Sequence, residues 1–173
     1  MNIFKRVQKK EIDSILKLFL NVKKKLLKQG IFQWKESLND YPGKKEIDEA
    51  FNRNELFVLE IDSKIVGSVI MNQNTAPEWN NILWINQNNP FLVLHALMIS
   101  PENQGMGMGS KMIKHCLTFA KVNNYQSIRL DCFSKNISSI KLYEKNGFQN
   151  LGKVFFPFKS KGNEEYFCYE REI

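Results

Sequence analysis

The strongest constraint on the fold is a strand–helix–strand pattern in the middle of the chain. The run Phe91–Ile99 is apolar except at His95, which is typical of a central strand covered on both faces. Residues 109–124 then have the periodicity of an amphipathic helix, and residues 127–133 suit another strand. Because a crossover of this kind joins parallel strands, the two strands are predicted to lie parallel in the middle of a sheet.

The rest of the chain predicts further strands and helices around that pair. The segments ELFVLEI and KIVGSVIMN flank the turn Asp62-Ser63 and form a predicted β-hairpin. Residue spacing also predicts helices at 9–29, 44–53 and 137–145, and strands at 2–7, 148–156 and 164–172. This order predicts an α/β fold built on a mixed sheet. Residues 72–90 are rich in Asn and aperiodic, so they are predicted to be a long loop and not a core element.

Length and composition are those of one soluble globular domain. The chain has 173 residues, of which 43% are hydrophobic and 25% charged, so residues 1–173 are predicted to form a single domain. No window approaches the roughly 18 uninterrupted apolar residues that a membrane span needs. The start, MNIFKRVQKKEIDS, also lacks the apolar stretch of a secretory signal. We therefore expect a cytoplasmic protein without a membrane partner.

Cysteine usage and charge exclude several classes of site. The three cysteines, Cys116, Cys132 and Cys168, form no CxxC pair and have no histidine at ligand spacing, so reduced thiols and no metal are expected. The net charge of +7 is scattered along the chain, which argues for solubility and for attraction of anionic ligands. Nucleic-acid binding is not expected, because the sequence has neither a helix–turn–helix nor interleaved aromatic and basic residues.

The segment Gln104-Gly105-Met106-Gly107-Met108-Gly109-Ser110 precedes the predicted central helix. Glycines there allow backbone amides to turn towards one point at a helix N-terminus, where phosphate oxygens are natural acceptors. The spacing fits neither the Walker A loop nor the dinucleotide fingerprint, since Ser110 stands where the latter requires its third glycine. From glycine spacing alone, a helix entry that binds no ligand remains an alternative.

Two blocks carry a resemblance to a known family. Gln104, Gly107 and Gly109 fit the pattern Q-x-x-G-x-G, and the stretch from Asn136 to Phe148 fits N-x-x-[AS]-x-x-[LF]-Y-x-x-x-G-F. Together they resemble the acetyl-CoA motif and the following helix of the GNAT (general-control-related N-acetyltransferase) superfamily. The order of the predicted elements is similar to that family's over nearly the whole chain.

The resemblance implies a fold and a cosubstrate. It implies the GNAT acyl-CoA N-acyltransferase fold: a mixed, mostly antiparallel sheet with helices on both faces and with splayed parallel strands at about 91–99 and 127–133. Acetyl-CoA would bind there without a metal, its pantetheine arm along the edge of the first of these strands and its pyrophosphate on the glycine segment. The implied cofactor-binding residues are Leu97, Met98, Ile99, Gln104, Gly105, Met106, Gly107, Met108, Gly109, Ser110, Asn136 and Tyr143.

The resemblance also implies a general acid. Tyr143 matches the tyrosine that the family usually places beside the departing sulfur, and a phenol is neutral at pH 7, as a general acid must be. Packing against the core is the alternative for this side chain. The predicted bases are His95 and Glu60, with Asp131 more remote. A buried structural histidine and a solvent-facing glutamate are the respective alternatives.

These patterns predict an acyltransferase, an N-acetyltransferase that moves the acetyl group of acetyl-CoA to a primary amine of a small molecule or protein by direct attack in a ternary complex. The alternative is an acyl-CoA-binding sensor or regulatory domain without turnover. Aromatic residues in two loops, Trp34, Tyr41, Trp79 and Trp84, are expected to cover the acceptor or to anchor the loops. Since small-molecule members of the family are often dimers, a homodimer is a further expectation.

Overall fold

The structure is a computed structural model that describes residues 2–173, and in that range it contains seven strands and four α-helices. The strands are β1 (Asn2–Arg6), β2 (Leu56–Ile61), β3 (Lys64–Asn72), β4 (Phe91–Ile99), β5 (Ser127–Phe133), β6 (Gln149–Phe155) and β7 (Glu165–Glu172). The helices are α1 (Ile12–Lys28), α2 (Lys44–Asn52), α3 (Met108–Val122) and α4 (Ile137–Lys145). The predicted bounds agree within two residues except for the first helix, which begins three residues late because Lys9–Glu11 forms a 3-10 turn.

The predicted mixed sheet is confirmed. Its strand order is β1-β2-β3-β4-β5-β7-β6. The pair β4 and β5 is parallel, as the central crossover predicted, and its ladder runs from Phe91↔Ser127 to Val93↔Arg129. The pairs β1-β2, β2-β3, β5-β7 and β6-β7 are antiparallel. The hairpin of β2 and β3 turns at Asp62 and Ser63, whose φ angles of 46° and 65° are both positive, as a tight hairpin turn requires.

The chain forms two compact units. The first runs to Met71 and includes His95–Met112, and the second comprises Asn72–Leu94 and Ile113–Ile173. The prediction of a single domain therefore stays a prediction. No helix among residues 2–173 is both long and apolar enough to cross a membrane.

The first unit has a core of α1, α2 and the strands that they cover. Ile15, Phe19 and Ile47 are fully buried there, and Leu56 and Met98 are nearly so. One lysine also lies in this core: Lys23 of α1 is fully buried, and its Nζ donates to Ser37 O (2.9 Å) and Asp40 O (2.8 Å) in the segment between α1 and α2. Lysines are rarely buried, and Lys23 is an exception because two backbone carbonyls replace the water around its ammonium.

In the second unit, residues 72–90 form the long connection that was predicted, between β3 and β4. The prediction missed two details: Pro77–Asn81 forms a 3-10 helix, and Trp79 is only 3% exposed. An ion pair buried beneath them, between Arg129 Nε and Glu170 Oε1 (2.9 Å), also holds this segment. Glu170 Oε2 accepts the Ile85 amide (2.6 Å), and the Arg129 guanidinium stacks on Trp84 and Phe91. Contacts with charged and aromatic side chains therefore hold this segment in place, although it has no periodic apolar residues.

Candidate functional site

The glycine segment lies in the first unit, directly after β4. Three hydrogen bonds fix the approach to it: Ser100 N donates to Val66 O (2.8 Å), Asn103 Nδ2 to Ser100 Oγ (2.7 Å), and Gln104 Nε2 to Ile99 O (2.8 Å). The Gln104 side chain thus holds the turn between strand and segment. The residues of β4 before it, Met98 and Ile99, are buried, whereas Leu97 is half-buried.

Gly105 and Gly107 have the left-handed backbone that glycine permits, whereas Gly109, the last glycine of the motif, lies within α3. Gly105 and Gly107 each have a φ of 78°, in the left-handed region, and a Cβ at either position would meet no protein atom within 4 Å. Both residues are exposed, as is Met106. Lys111 N donates to Gly107 O (3.0 Å) in the first turn of α3. The amides of Met108 and Gly109 come before it, at the helix start, where backbone amides have no acceptor within the helix. The arrangement can present backbone amides to an anion that approaches from solvent.

A feature of β4 that the sequence did not predict is a left-handed alanine. Ala96 has a φ of 48° inside the strand. A left-handed residue breaks the strict alternation of a strand and locally redirects its side chains, as a bulge does. His95, Ala96 and Leu97 are consecutively half-buried, consistent with that break. Nothing in the sequence indicated this conformation, because alanine also occurs in regular strands.

The two predicted bases, His95 and Glu60, have different surroundings in the structure. His95 lies half-buried beside the irregular Ala96 position of β4. Glu60 lies on β2, and its Oε2 forms an ion pair with Lys5 Nζ (2.7 Å), which also contacts Glu11 (2.9 Å). Glu60 was predicted to be a base or a solvent-facing residue, and the structure assigns it an ion pair.

Tyr143 lies in the second unit, on the buried face of α4. Its side chain is 8% exposed and packs against Phe148 and Tyr169, with ring centroids 5.7 and 6.1 Å apart. Burial raises its pKa well above the usual value, and Cys132 and Asp131 raise it further. The phenol is therefore neutral at pH 7. Core packing and proton donation were the two alternatives for Tyr143. The structure allows both, because the packed side chain keeps its phenol proton.

Asn136 has a structural function at the start of α4. It is the N-cap of α4, where its Oδ1 accepts a hydrogen bond from Ser139 N (3.2 Å), and it is 5% exposed. An N-cap side chain satisfies an amide that otherwise lacks a partner. Its predicted cofactor contact stays a prediction.

Asp131, the remote candidate, has an unusual environment. It lies half-buried on β5, and its Oδ2 accepts a hydrogen bond from Trp79 Nε1 (3.2 Å). Burial raises its pKa from 3.8 to about 6, against the opposing effects of Trp79 and Lys159. Trp79 was predicted as an acceptor cover or a loop anchor, and its indole anchors this carboxylate. Sequence spacing could not reveal the pair, since 52 residues separate its members.

The three thiols are unreactive in this environment. Cys116, Cys132 and Cys168 are all buried and free. Burial raises the pKa of each, for Cys168 to about 12, so almost none is a thiolate at neutral pH. No group of three His, Cys, Asp or Glu side chains that could hold a metal occurs between residues 2 and 173.

Comparison with known proteins identifies the family. The profile of the acetyltransferase (GNAT) family matches residues 21–148, which include the glycine segment and α4. The chain belongs to the GNAT acetyltransferase family. It is therefore an acyltransferase, and GNAT enzymes use acetyl-CoA as the acetyl donor.

Relatives and solved structures agree with this family. An uncharacterised N-acetyltransferase of Bacillus subtilis, YesJ, is 24% identical over 143 residues, covering 82% of this chain and 78% of that protein. The spermine/spermidine N(1)-acetyltransferase of the same species is 36% identical over 64 residues, covering 36% of this chain and 42% of that protein.

Among solved structures, a GNAT acetyltransferase from Streptococcus agalactiae superposes with a TM-score of 0.85 at 19% identity, covering 99% of this chain and 95% of that one. A spermidine N-acetyltransferase from Vibrio cholerae, solved with CoA and spermine, has a TM-score of 0.70 at 20% identity and the same coverage. These likenesses support the predicted GNAT fold.

Proposed function

We propose that this GNAT enzyme transfers the acetyl group of acetyl-CoA directly to a primary amine of a small molecule or protein, in a complex that holds both substrates. The glycine segment carries the proposal. Gly105 and Gly107 are left-handed and exposed just before α3, and a Cβ at either would meet no protein atom within 4 Å. Phosphate oxygens can therefore reach the backbone amides there, as the pyrophosphate of acetyl-CoA would require.

The residues proposed to hold acetyl-CoA are those that match the family's motifs. In the first unit they are Leu97, Met98 and Ile99 at the end of β4 and the segment from Gln104 to Ser110. In the second unit they are Asn136 and Tyr143. The segment fits an anion because it offers amides and glycines and no carboxylate between Gln104 and Ser110.

Tyr143 is proposed to be the general acid. Burial holds its pKa well above the usual value, so the phenol keeps its proton at neutral pH and is able to donate it. The sulfur that leaves the acetyl carbon gains negative charge, and the phenol donates a hydrogen bond and then its proton to that sulfur. Of the bases predicted from sequence, Glu60 is the least suited, because its carboxylate already pairs with Lys5.

Direct transfer is favoured over an acyl-enzyme because no activated thiol is available. Covalent catalysis requires a thiolate, and burial raises the pKa of Cys132 far above neutrality, with a further contribution from Asp131. Incubation with acetyl-CoA alone should therefore leave Cys132 unmodified in a mass spectrum. An adduct of one acetyl group on Cys132 would contradict direct transfer.

Polyamines are proposed as the first acceptors to test, because two proteins similar to this chain have names that include spermine or spermidine. The panel should also contain a lysine peptide and a peptide with a free N-terminus, which represent protein acceptors. Turnover is followed as released CoA thiol.

Cosubstrate binding is tested first by a thermal melt with acetyl-CoA, with ATP and NAD as controls. A ligand at about 100 times its Kd stabilises the native state by about 2.7 kcal/mol, which moves the midpoint by several degrees. A shift with acetyl-CoA alone is expected. A shift with ATP or NAD instead, or none, would contradict the proposed cosubstrate.

Tyr143→Phe then separates the enzyme from a sensor. The variant should give the same shift with acetyl-CoA and lose about 10²-fold or more in kcat, since only proton donation is removed. A wild-type protein that binds acetyl-CoA but acetylates no amine of the panel would favour the non-catalytic acyl-CoA sensor.

A further inference from the structure

Asp131 is the one residue of β5 that is not fully buried. Every other residue of the strand, from Ser127 to Phe133, is buried, whereas Asp131 is half-buried. Its partner across the ladder is Cys168 of β7, which is itself buried. An ionised carboxylate is costly to bury unless it is paired. Its placement there is unlike that of a solvated surface acid.

Packing fixes the orientation of this carboxylate. Trp79 Nε1 donates to Asp131 Oδ2 at 3.2 Å, and the Trp79 ring is itself held by Trp84, with centroids 5.1 Å apart. The indole occupies Oδ2 only. An ionised carboxylate has about four acceptor positions, so Oδ1 has capacity for the N–H groups of a bound ammonium.

Charged and titratable groups face Asp131 from four other elements. They are Glu78 beside Trp79, Lys159 of the segment between β6 and β7, Tyr143 of α4 and Cys168 of β7, with Cys132 next to it on β5. Lys159 stabilises the ionised carboxylate and Glu78 opposes it. In the other direction, Asp131 raises the pKa of Tyr143. Tyr143, the proposed acid, and the Asp131 carboxylate therefore influence each other electrostatically. The pKa of Asp131 remains below that of Tyr143.

We propose that Asp131 is a catalytic residue for the acceptor: its carboxylate binds the substrate ammonium and removes the proton that must leave before the amine can attack. This inference rests on the proposed acetyl transfer. It assigns a charged amine, not a neutral alcohol or thiol, as the acceptor class, and it makes Trp79 a positioning residue.

The step balances with the groups at hand. Asp131 takes one proton from the ammonium, which leaves a neutral amine. The nitrogen lone pair then forms a C–N bond to the acetyl carbon while the C–S bond breaks, and the sulfur takes the Tyr143 proton. The nitrogen loses its second proton, which restores the phenol, and Asp131 releases its proton to solvent. The products are the acetamide, the CoA thiol and one proton.

The test compares wild type with Asp131→Asn, which keeps an oxygen for the Trp79 indole and removes the charge. The substrate is spermidine or, if another amine of the panel is faster, that amine. At pH 7 we expect kcat/KM for the amine to fall by about 10²-fold to 10⁴-fold, the usual range for a general base. The thermal shift with acetyl-CoA should be unchanged. Near pH 10, where much of the amine is already neutral, the two rates should approach each other.

The pH dependence of kcat/KM distinguishes a catalytic Asp131 from a structural one. Changing a charge near Asp131 shifts this dependence only if the ionisation of Asp131 controls the rate. The acidic limb of kcat/KM against pH should lie near pH 6 in wild type, rising as Asp131 ionises. Glu78→Gln should move this limb to lower pH, because a repelling charge is lost. Lys159→Met should move it to higher pH, because an attracting charge is lost. Asp13→Asn, at an exposed position of α1, is the matched control and should move nothing.

The outcomes are separable. Asp131→Glu, which restores a carboxylate, should recover part of the rate lost in Asp131→Asn if both fold, and melting curves report folding. Wild-type turnover together with a rate within threefold in Asp131→Asn would overturn the inference and leave acetyl transfer standing. A limb that neither neighbouring variant moves would also overturn it. Absence of turnover in wild type with every amine would overturn the proposed function, and the inference with it.

Discussion

Gly30 and Gly107 both have a positive φ, but they lie in different structural contexts. Gly30 follows α1 with a φ of 73°, and Gly107 precedes α3 with a φ of 78°. A Cβ at either position would meet no protein atom within 4 Å, so only the torsion demands glycine. Gly30 lies at a helix C-terminus, whereas Gly107 lies in the segment proposed to bind a pyrophosphate. Their similar φ angles make them a matched pair for substitution.

Gly107→Ala and Gly30→Ala should each destabilise the fold by about 1–2 kcal/mol, the cost of a left-handed alanine. Only Gly107→Ala should weaken acetyl-CoA binding, by about tenfold or more, since the backbone that presents the amides would shift. Urea unfolding measures the first effect and titration calorimetry the second. Equal loss of acetyl-CoA affinity in both variants would show a global effect instead of a local one.

Asp131 also predicts a dependence of stability on pH. Its pKa rises from 3.8 to about 6 on folding because of burial, so between these values the native state binds more protons than the unfolded state. The contribution of Asp131 to stability is therefore greatest below pH 4 and is lost as pH rises through 6. At pH 7 Asp131→Asn should be at least as stable as wild type, by an amount that cannot exceed about 3 kcal/mol.

Urea midpoints of both proteins from pH 4 to pH 8 measure this difference. It should grow between pH 4 and pH 6 and stay constant above. A variant that is less stable than wild type at pH 7 would mean that the Trp79 contact outweighs the cost of burying the charge.

At the scale of elements, the ion pair of β5 and β7 anchors a segment that lacks periodicity of its own. Glu170 is fully buried and receives hydrogen bonds from Arg129 Nε (2.9 Å), Ser127 Oγ (2.6 Å) and the Ile85 amide (2.6 Å). Charge-assisted bonds of this kind replace the hydration that both ions lose. The segment before β4 is thereby tied to two strands that follow it in sequence.

Glu170→Gln should destabilise the protein by about 3–5 kcal/mol, since it leaves the Arg129 guanidinium buried without its counter-ion. Glu165→Gln is the matched control on the same strand. Glu165 pairs with Lys153 at the same 2.9 Å, but both side chains are partly exposed, so a loss of less than about 1 kcal/mol is expected. Urea denaturation measures both changes, and equal losses would contradict the argument from burial.

Element prediction from sequence succeeded where the signal was local. The turn at Asp62 and Ser63 was predicted from residue type, because a positive φ favours glycine, Asn, Asp or a short polar residue. The anchors of the segment 72–90 were missed, since they are bonds to residues more than 40 positions away. The left-handed Ala96 was missed because alanine gives no such signal.

At the scale of the whole molecule, the two compact units share two elements. β4 contributes Phe91–Leu94 to the second unit and His95–Ile99 to the first, and α3 is divided after Met112. Neither unit can unfold alone without breaking hydrogen bonds of an element that also belongs to the other. We therefore propose that residues 1–173 behave as a single domain.

Differential scanning calorimetry tests this proposal. One transition is expected, with a calorimetric enthalpy equal to the van't Hoff enthalpy. Scans at two heating rates identify any irreversible step, which would shift the midpoint with rate. Two transitions, or a calorimetric enthalpy well above the van't Hoff value, would indicate two domains.

The sequence by itself determined the element order, the parallel central pair, the glycine geometry and the family. Each depends on periodicity or residue type within a short window, and such signals are local. Only the tertiary structure decided that Lys23 is buried, that Glu60 pairs with Lys5, and that Trp79 holds Asp131. These depend on which distant groups replace the water lost on burial, because a charge that loses its hydration needs a partner, and the chain brings that partner from far away in sequence.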